Sequence, residues 1–184
     1  MMIEEYFKLV YNYYPKNLFV SDLGYPYTEE MARYFKLESR AKENNGSFKK
    51  TIESLSLEFN CLVMDNSFCG AFDLSYRAIF YIPKNLNITR FTRCVINIGV
   101  LAKYYCVYLT QAYANGKNTF YDRTVNENEQ GFVNKVSLII QENFPDYRPF
   151  PIEKSNVKIP NIYSAKRPGE FATLFECLMT DYIL

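Results

Sequence analysis

Two carboxylates stand close in sequence, Asp65 and Asp73, the first of them opening the string Asp65-Asn66-Ser67 after a short apolar run. Two carboxylates at a strand end can hold Mg²⁺ or perform general acid–base chemistry. Asp-Asn-Ser is also ordinary turn chemistry, because these side chains bond the backbone two residues on, and the sequence favours that reading. Arg77 and Arg93 would complete an enzyme or nucleotide-binding site built around the acids. Asp122-Arg123, with Tyr121 before it, sits in a polar stretch and reads as a surface ion pair of little energetic weight. Cys94 and Cys106 are nucleophiles in principle, but an apolar thiol with no neighbouring base to lower its pKa is inert.

The chain of 184 residues contains no histidine. Ser-His-Asp and Cys-His catalysis, His-ligated zinc and His-Asp relays all need an imidazole, so none can be built within it. No CxxC pair offers an all-thiolate site either. The expectation is therefore no metal and no cofactor, with any chemistry left to carboxylates, Tyr, Lys, Arg or a lone Cys.

Charge and aromatic side chains are the other resources. Between residues 66 and 121, Arg77, Lys84, Arg90, Arg93, Lys103 and Lys117 face Asp73 alone, a segment charge of +5 in a chain of net +1. Gathered on one sheet face with Tyr76, Tyr81 and Tyr104, these cations would suit phosphate, nucleic acid or an acidic protein. A whole-chain charge near zero argues against a dedicated nucleic-acid binder. The 17 tyrosines concentrate at Tyr11, Tyr13 and Tyr14, at Tyr25 and Tyr27, and at Tyr104, Tyr105 and Tyr108. The first two groups border loops with Pro15 and Pro26, where rigid amphipathic rings serve as interface anchors or pack against the first helix.

Hydrophobic residues are 48% and charged residues 22% of the chain, enough for a packed core in one domain, 1–184. Ile3, Phe7 and Val10 mark a helix over 2–13. Thr28 caps a second, with Glu29 and Glu30 in its first turn. Asn44-Asn45-Gly46 ends it, and Ser47 opens a third along Phe48, Ile52, Leu55 and Phe59, the pair forming a hairpin. The period then shortens to two: a short run at 61–65, then strands at 71–82, 91–98 and 103–113. A helix over 99–113 is the alternative for the last. Asn115-Gly116 follows as a turn. A helix beginning at Asn126 or Asn128 carries Phe132, Val136, Ile139 and Ile140. Four prolines keep 145–161 a loop or edge strand. Pro168 starts a closing helix with Phe171, Leu174, Phe175 and Leu178 on its apolar face. The fold class is α+β, an antiparallel sheet of three to five strands from 61–113 packed with about five helices.

The amino terminus carries Glu4 and Glu5 where a secretory signal would be positive, no stretch is long and apolar enough to span a bilayer, and the five cysteines suit reduced thiols. The expected location is the cytoplasm, with no membrane contact. The expected function is a protein-binding domain that masks a partner, in its most specific form an immunity-type inhibitor of a bacterial toxin encoded nearby. Its expected contacts are Tyr13, Tyr14, Tyr25, Tyr27, Arg77, Arg90, Arg93 and Lys103. The alternatives are a small enzyme or phosphate-binding protein using Asp65, Asp73, Arg77 and Arg93, and a nucleic-acid binder using 66–121.

Overall fold

Alternation of polar Asp73, Ser75 and Arg77 with apolar Leu74, Tyr76 and Ala78 opens the central sheet. A computed structural model describes residues 2–68, 73–82, 90–115, 118–123 and 129–179. Strands β1 (Met64–Asp65), β2 (Ser75–Tyr81), β3 (Arg90–Gly99) and β4 (Tyr104–Asn115) lie side by side in chain order, each antiparallel to the last. The outer edge of β4 takes β5 (Asn118–Arg123) antiparallel at one end and β6 (Arg148–Pro149) parallel at the other. The α+β expectation holds, with α1 (Ile3–Tyr11), α2 (Glu29–Glu43), α3 (Gly46–Phe59), α4 (Gln130–Asn143) and α5 (Leu174–Leu178) around a mostly antiparallel sheet. The helical alternative for 99–113 is excluded by the register, which sets Ile98 opposite Tyr105 and Cys94 opposite Leu109. The sheet also extends past residue 113. Tyr121, Asp122 and Arg123 belong to β5 rather than a loop, because the turn signal at Asn115 leads straight back into a paired strand.

Paired residues share a face, so the register sorts the side chains. Tyr76, Ala78 and Phe80 align with Ile98, Ile96 and Cys94, and these with Tyr105 and Leu109. That face is buried against Phe48 and Leu55 of α3 and Val136, Ile139 and Ile140 of α4. A second core joins Tyr6 and Val10 of α1, Met31 and Tyr34 of α2, and Leu174, Phe175 and Leu178 of α5. Into it also go Ile159 and Ile162 of β7 (Lys158–Tyr163) and Ala172 of β8 (Phe171–Thr173), which pair as a small antiparallel ribbon. Gly99, at the end of β3, is where the two halves touch: a Cβ there would lie 2.6 Å from the backbone oxygen of Leu178.

Thr28 caps α2 as its type predicts, its hydroxyl accepting from Met31 N–H at 3.3 Å. Three local expectations are corrected. Helix α2 spans both cores, Met31 and Tyr34 in one and Ala41 in the other, while α3 packs on the sheet, so the two do not lie against each other as a hairpin. Helix α3 begins at Gly46 with Asn45 before it, one turn position ahead of Ser47. The closing helix starts at Leu174 rather than near Pro168. Gly169 takes φ +84° and turns the chain, Phe171 pairs with Tyr163, and Thr173 with Glu176 forms a capping box only then. The starts proposed at Asn126 and Asn128 lie outside the described residues. Among the described residues no helix is long and apolar enough to cross a membrane.

Candidate functional site

The opposite face of the sheet carries the residues on which chemistry was expected. Arg77 aligns with Asn97, and Arg93 with Thr110. Arg77 donates from Nε to Asn97 Oδ1 at 3.0 Å and from its terminal nitrogen to Asp73 at 2.8 Å, while Ser75 donates to the other Asp73 oxygen at 2.6 Å. Arg93 Nε donates to the Thr110 hydroxyl at 2.8 Å. All of these side chains are buried. A charge taken from water needs a partner and satisfied hydrogen bonds, and Asp73 with Asn97 supplies both to Arg77.

The sheet separates the two carboxylates of the enzyme reading. Asp65 pairs with Ala78 and lies on the α3 side, in a cleft with Lys42, Asn45, Phe68 and Tyr76. Its side chain accepts from Ser67 N–H at 2.9 Å, the turn chemistry expected of Asp-Asn-Ser. Asp73, Arg77 and Arg93 are on the other side. Burial pushes the Cys61 thiol up and the Cys94 thiol well up, with Cys61 and Cys106 adding to the effect at Cys94.

Of the basic segment, the described cations do not form one exposed face. Arg77 and Arg93 point into the ladder, and Lys103 is exposed and paired with Asp146 at 3.0 Å. Arg90 occupies the first position of β3, and its side chain, with Lys84 and Lys117, lies outside the described residues.

The tyrosines also separate. Tyr14 is buried, its hydroxyl donating to Cys177 O at 3.1 Å and its ring edge-on to Tyr34. Tyr25 is buried at the start of a 3-10 turn, and Tyr13 is half-buried against the same core. Tyr27 is 88% exposed, as Leu23 beside it is at 92%. The packing reading therefore describes Tyr14 and Tyr25, and display describes Tyr27.

A different aromatic group completes this surface. Asn17 and Asn161 both adopt left-handed backbone angles, and Asn17 N–H donates to Asn161 O at 2.8 Å. That bond fastens the segment 17–28 to β7 at its bulge. It sets Phe19 flat on Tyr163, with centroids 4.0 Å apart, and Tyr163 lies 5.4 Å from Phe171. Phe19 and Phe171 keep over a third of their surface in water. The result is an aromatic shelf beside a loop bearing Leu23 and Tyr27. Sequence reasoning missed Phe19, Tyr163 and Phe171, because Pro168 read as a helix start hid the β7–β8 ribbon. Tyr163 and Phe171 flanking Arg167-Pro168-Gly169 were the available signal.

Compared with protein-family models, with curated proteins and with solved structures, the chain finds no match.

Proposed function

We propose that the chain is a protein-binding domain that acts by masking a partner, and in its most specific form an immunity-type inhibitor of a toxin. The observation that supports this reading is the aromatic shelf of Phe19, Tyr163 and Phe171 with Leu23 and Tyr27 displayed beside it. Aromatic anchors held rigid by the scaffold give large contact area at little entropic cost, and such residues dominate interface energies. The stacking of Phe19 on Tyr163 supplies that rigidity. The acid and arginine residues of the enzyme reading instead bond one another inside the sheet, or stand on its two sides.

Coexpression of the full chain with the products of its neighbouring genes tests the reading. The expected result is a stable complex by size exclusion, with the partner's activity suppressed, and loss of both when Tyr27→Ala and Phe171→Ala are combined. No complex with any neighbouring product, or one indifferent to the double variant, overturns it.

A further inference from the structure

A groove of about 680 Å³ lies between α1, the β3–β4 turn and β6. Glu5 and Leu9, one turn apart on the same face of α1, form one wall. Leu101 and Ala102 of the turn add apolar surface, and Arg148 of β6 forms a further wall. The parallel register sets Arg148 beside Tyr104, and Arg148 N–H donates to Lys103 O at 3.1 Å, so the backbone that carries the guanidinium is fixed.

Tyr104 brings a hydroxyl proton to this groove. Its oxygen lies 2.8 Å from that of Tyr6. Two hydroxyls carry two protons, and the single bond between them uses one. Tyr6 is buried and has no other acceptor among the described residues, so Tyr6 donates and Tyr104 accepts. Burial, with this bond, holds the Tyr6 proton well above the usual range. The proton of Tyr104 is left for the groove that its side chain lines, with the ring held edge-on by Phe150.

Charge in the groove is unmatched at two places. Lys103 and Asp146 neutralise each other at 3.0 Å. Glu5 accepts Met2 N–H at 2.7 Å with one oxygen, and among the described residues the other oxygen meets no donor. The exposed Arg148 guanidinium meets no acceptor among them. Glu5 and Arg148 thus line one groove without pairing with each other.

We infer that this groove binds a small zwitterion, an α-amino acid with an apolar side chain. Arg148 and the Tyr104 hydroxyl supply donors for the carboxylate, and Glu5 an acceptor for the ammonium. Leu9, Leu101 and Ala102 supply the surface for the side chain. A simple anion would be repelled by Glu5 and a simple cation by Arg148, so a ligand carrying both charges is the one that matches both walls. The site is additional to the Phe19–Tyr163 shelf and does not depend on it.

Calorimetric titration of the full chain with leucine and its two truncated analogues tests the proposal: isocaproate lacks the amine and isoamylamine lacks the carboxylate. Leucine should bind, and removal of either group should weaken binding by about tenfold or more. Arg148→Gln should weaken leucine and isocaproate and leave isoamylamine unchanged. Glu5→Gln should weaken leucine and isoamylamine and leave isocaproate unchanged. Both side chains are exposed, and Gln at position 5 keeps an oxygen for Met2 N–H, so each variant should melt with the parent. Methionine and phenylalanine present the same two charges with other apolar groups. No binding of any of the three amino acids at millimolar concentration, analogues as tight as leucine, or variants without this crossed pattern would each refute the site.

Discussion

Arg77 and Asp73 meet at 2.8 Å as an ion pair with both side chains closed to solvent. Removing one partner of such a pair leaves a charge buried without its counter-ion. Asp73→Ala should therefore destabilise the fold by about 3–5 kcal/mol. The exposed pair of Lys103 with Asp146 is the internal control, and Asp146→Ala should cost no more than about 1 kcal/mol. Urea denaturation of the two variants checks the contrast. Equal midpoints would show that the ladder on the sheet contributes nothing to holding β2 against β3.

Gly99 marks the seam between the two cores. Its missing Cβ would fall 2.6 Å from Leu178 O and 3.0 Å from Ala102 O. Both are backbone atoms, so neither can swing aside as a side-chain tip does. Gly99→Ala should cost about 1–3 kcal/mol, the range for overpacking a tight site. An unchanged melting temperature would mean that α5 shifts freely against the β3–β4 turn.

Much of this architecture was legible because local pattern and tertiary demand agree. Period-two alternation from Ser75 marks β2, and Thr28 before Glu29 and Glu30 marks the start of α2. Other features depend on pairing, which no window of sequence contains. Tyr121 to Arg123 look polar and loop-like, yet β4 offers them a ladder. Phe171 fits a helical stripe, yet Tyr163 claims it for a ribbon. Charge misled in the same way: Arg77 and Arg93 alternate with apolar residues on β2 and β3, a pattern read as one face for binding phosphate, nucleic acid or an acidic protein, whereas both side chains are buried. The exposed shelf escaped notice because Phe19 and Tyr163 lie far apart in sequence and meet only in the fold, where Asn17 bonds Asn161.

Tyr14 and Tyr27 have similar sequence surroundings and opposite fates. Tyr14→Phe removes a buried hydroxyl that donates to Cys177 O and should cost about 1 kcal/mol. Tyr27→Ala removes a ring that is 88% exposed and should stay within about 0.5 kcal/mol of the parent. Thermal melts of both variants check this. A Tyr27 variant as unstable as the Tyr14 variant would mean that the ring packs, and would remove it from the proposed docking surface.

Tyr76 ties stability to alkaline pH. Its hydroxyl donates to Ala41 O at 2.7 Å. Burial, reinforced by Tyr147, pushes its pKa from 10.0 up to about 12. A folded-state pKa above the unfolded value means that the folded chain holds the proton more tightly. The stabilisation is then fully present below pH 10 and is lost as pH rises toward 12. At about 1.4 kcal/mol per unit the loss amounts to roughly 2–3 kcal/mol. Burial raises Tyr147 as well, so Tyr76 carries part of the decline and not all of it. Tyr76→Phe keeps the ring, gives up the hydrogen bond and cannot ionise. It should be about 1 kcal/mol less stable than the parent near neutral pH, with the gap closing as pH climbs past 10. Urea midpoints of both chains across that range measure the gap, and a constant difference at every pH would show that Tyr76 does not ionise in this window.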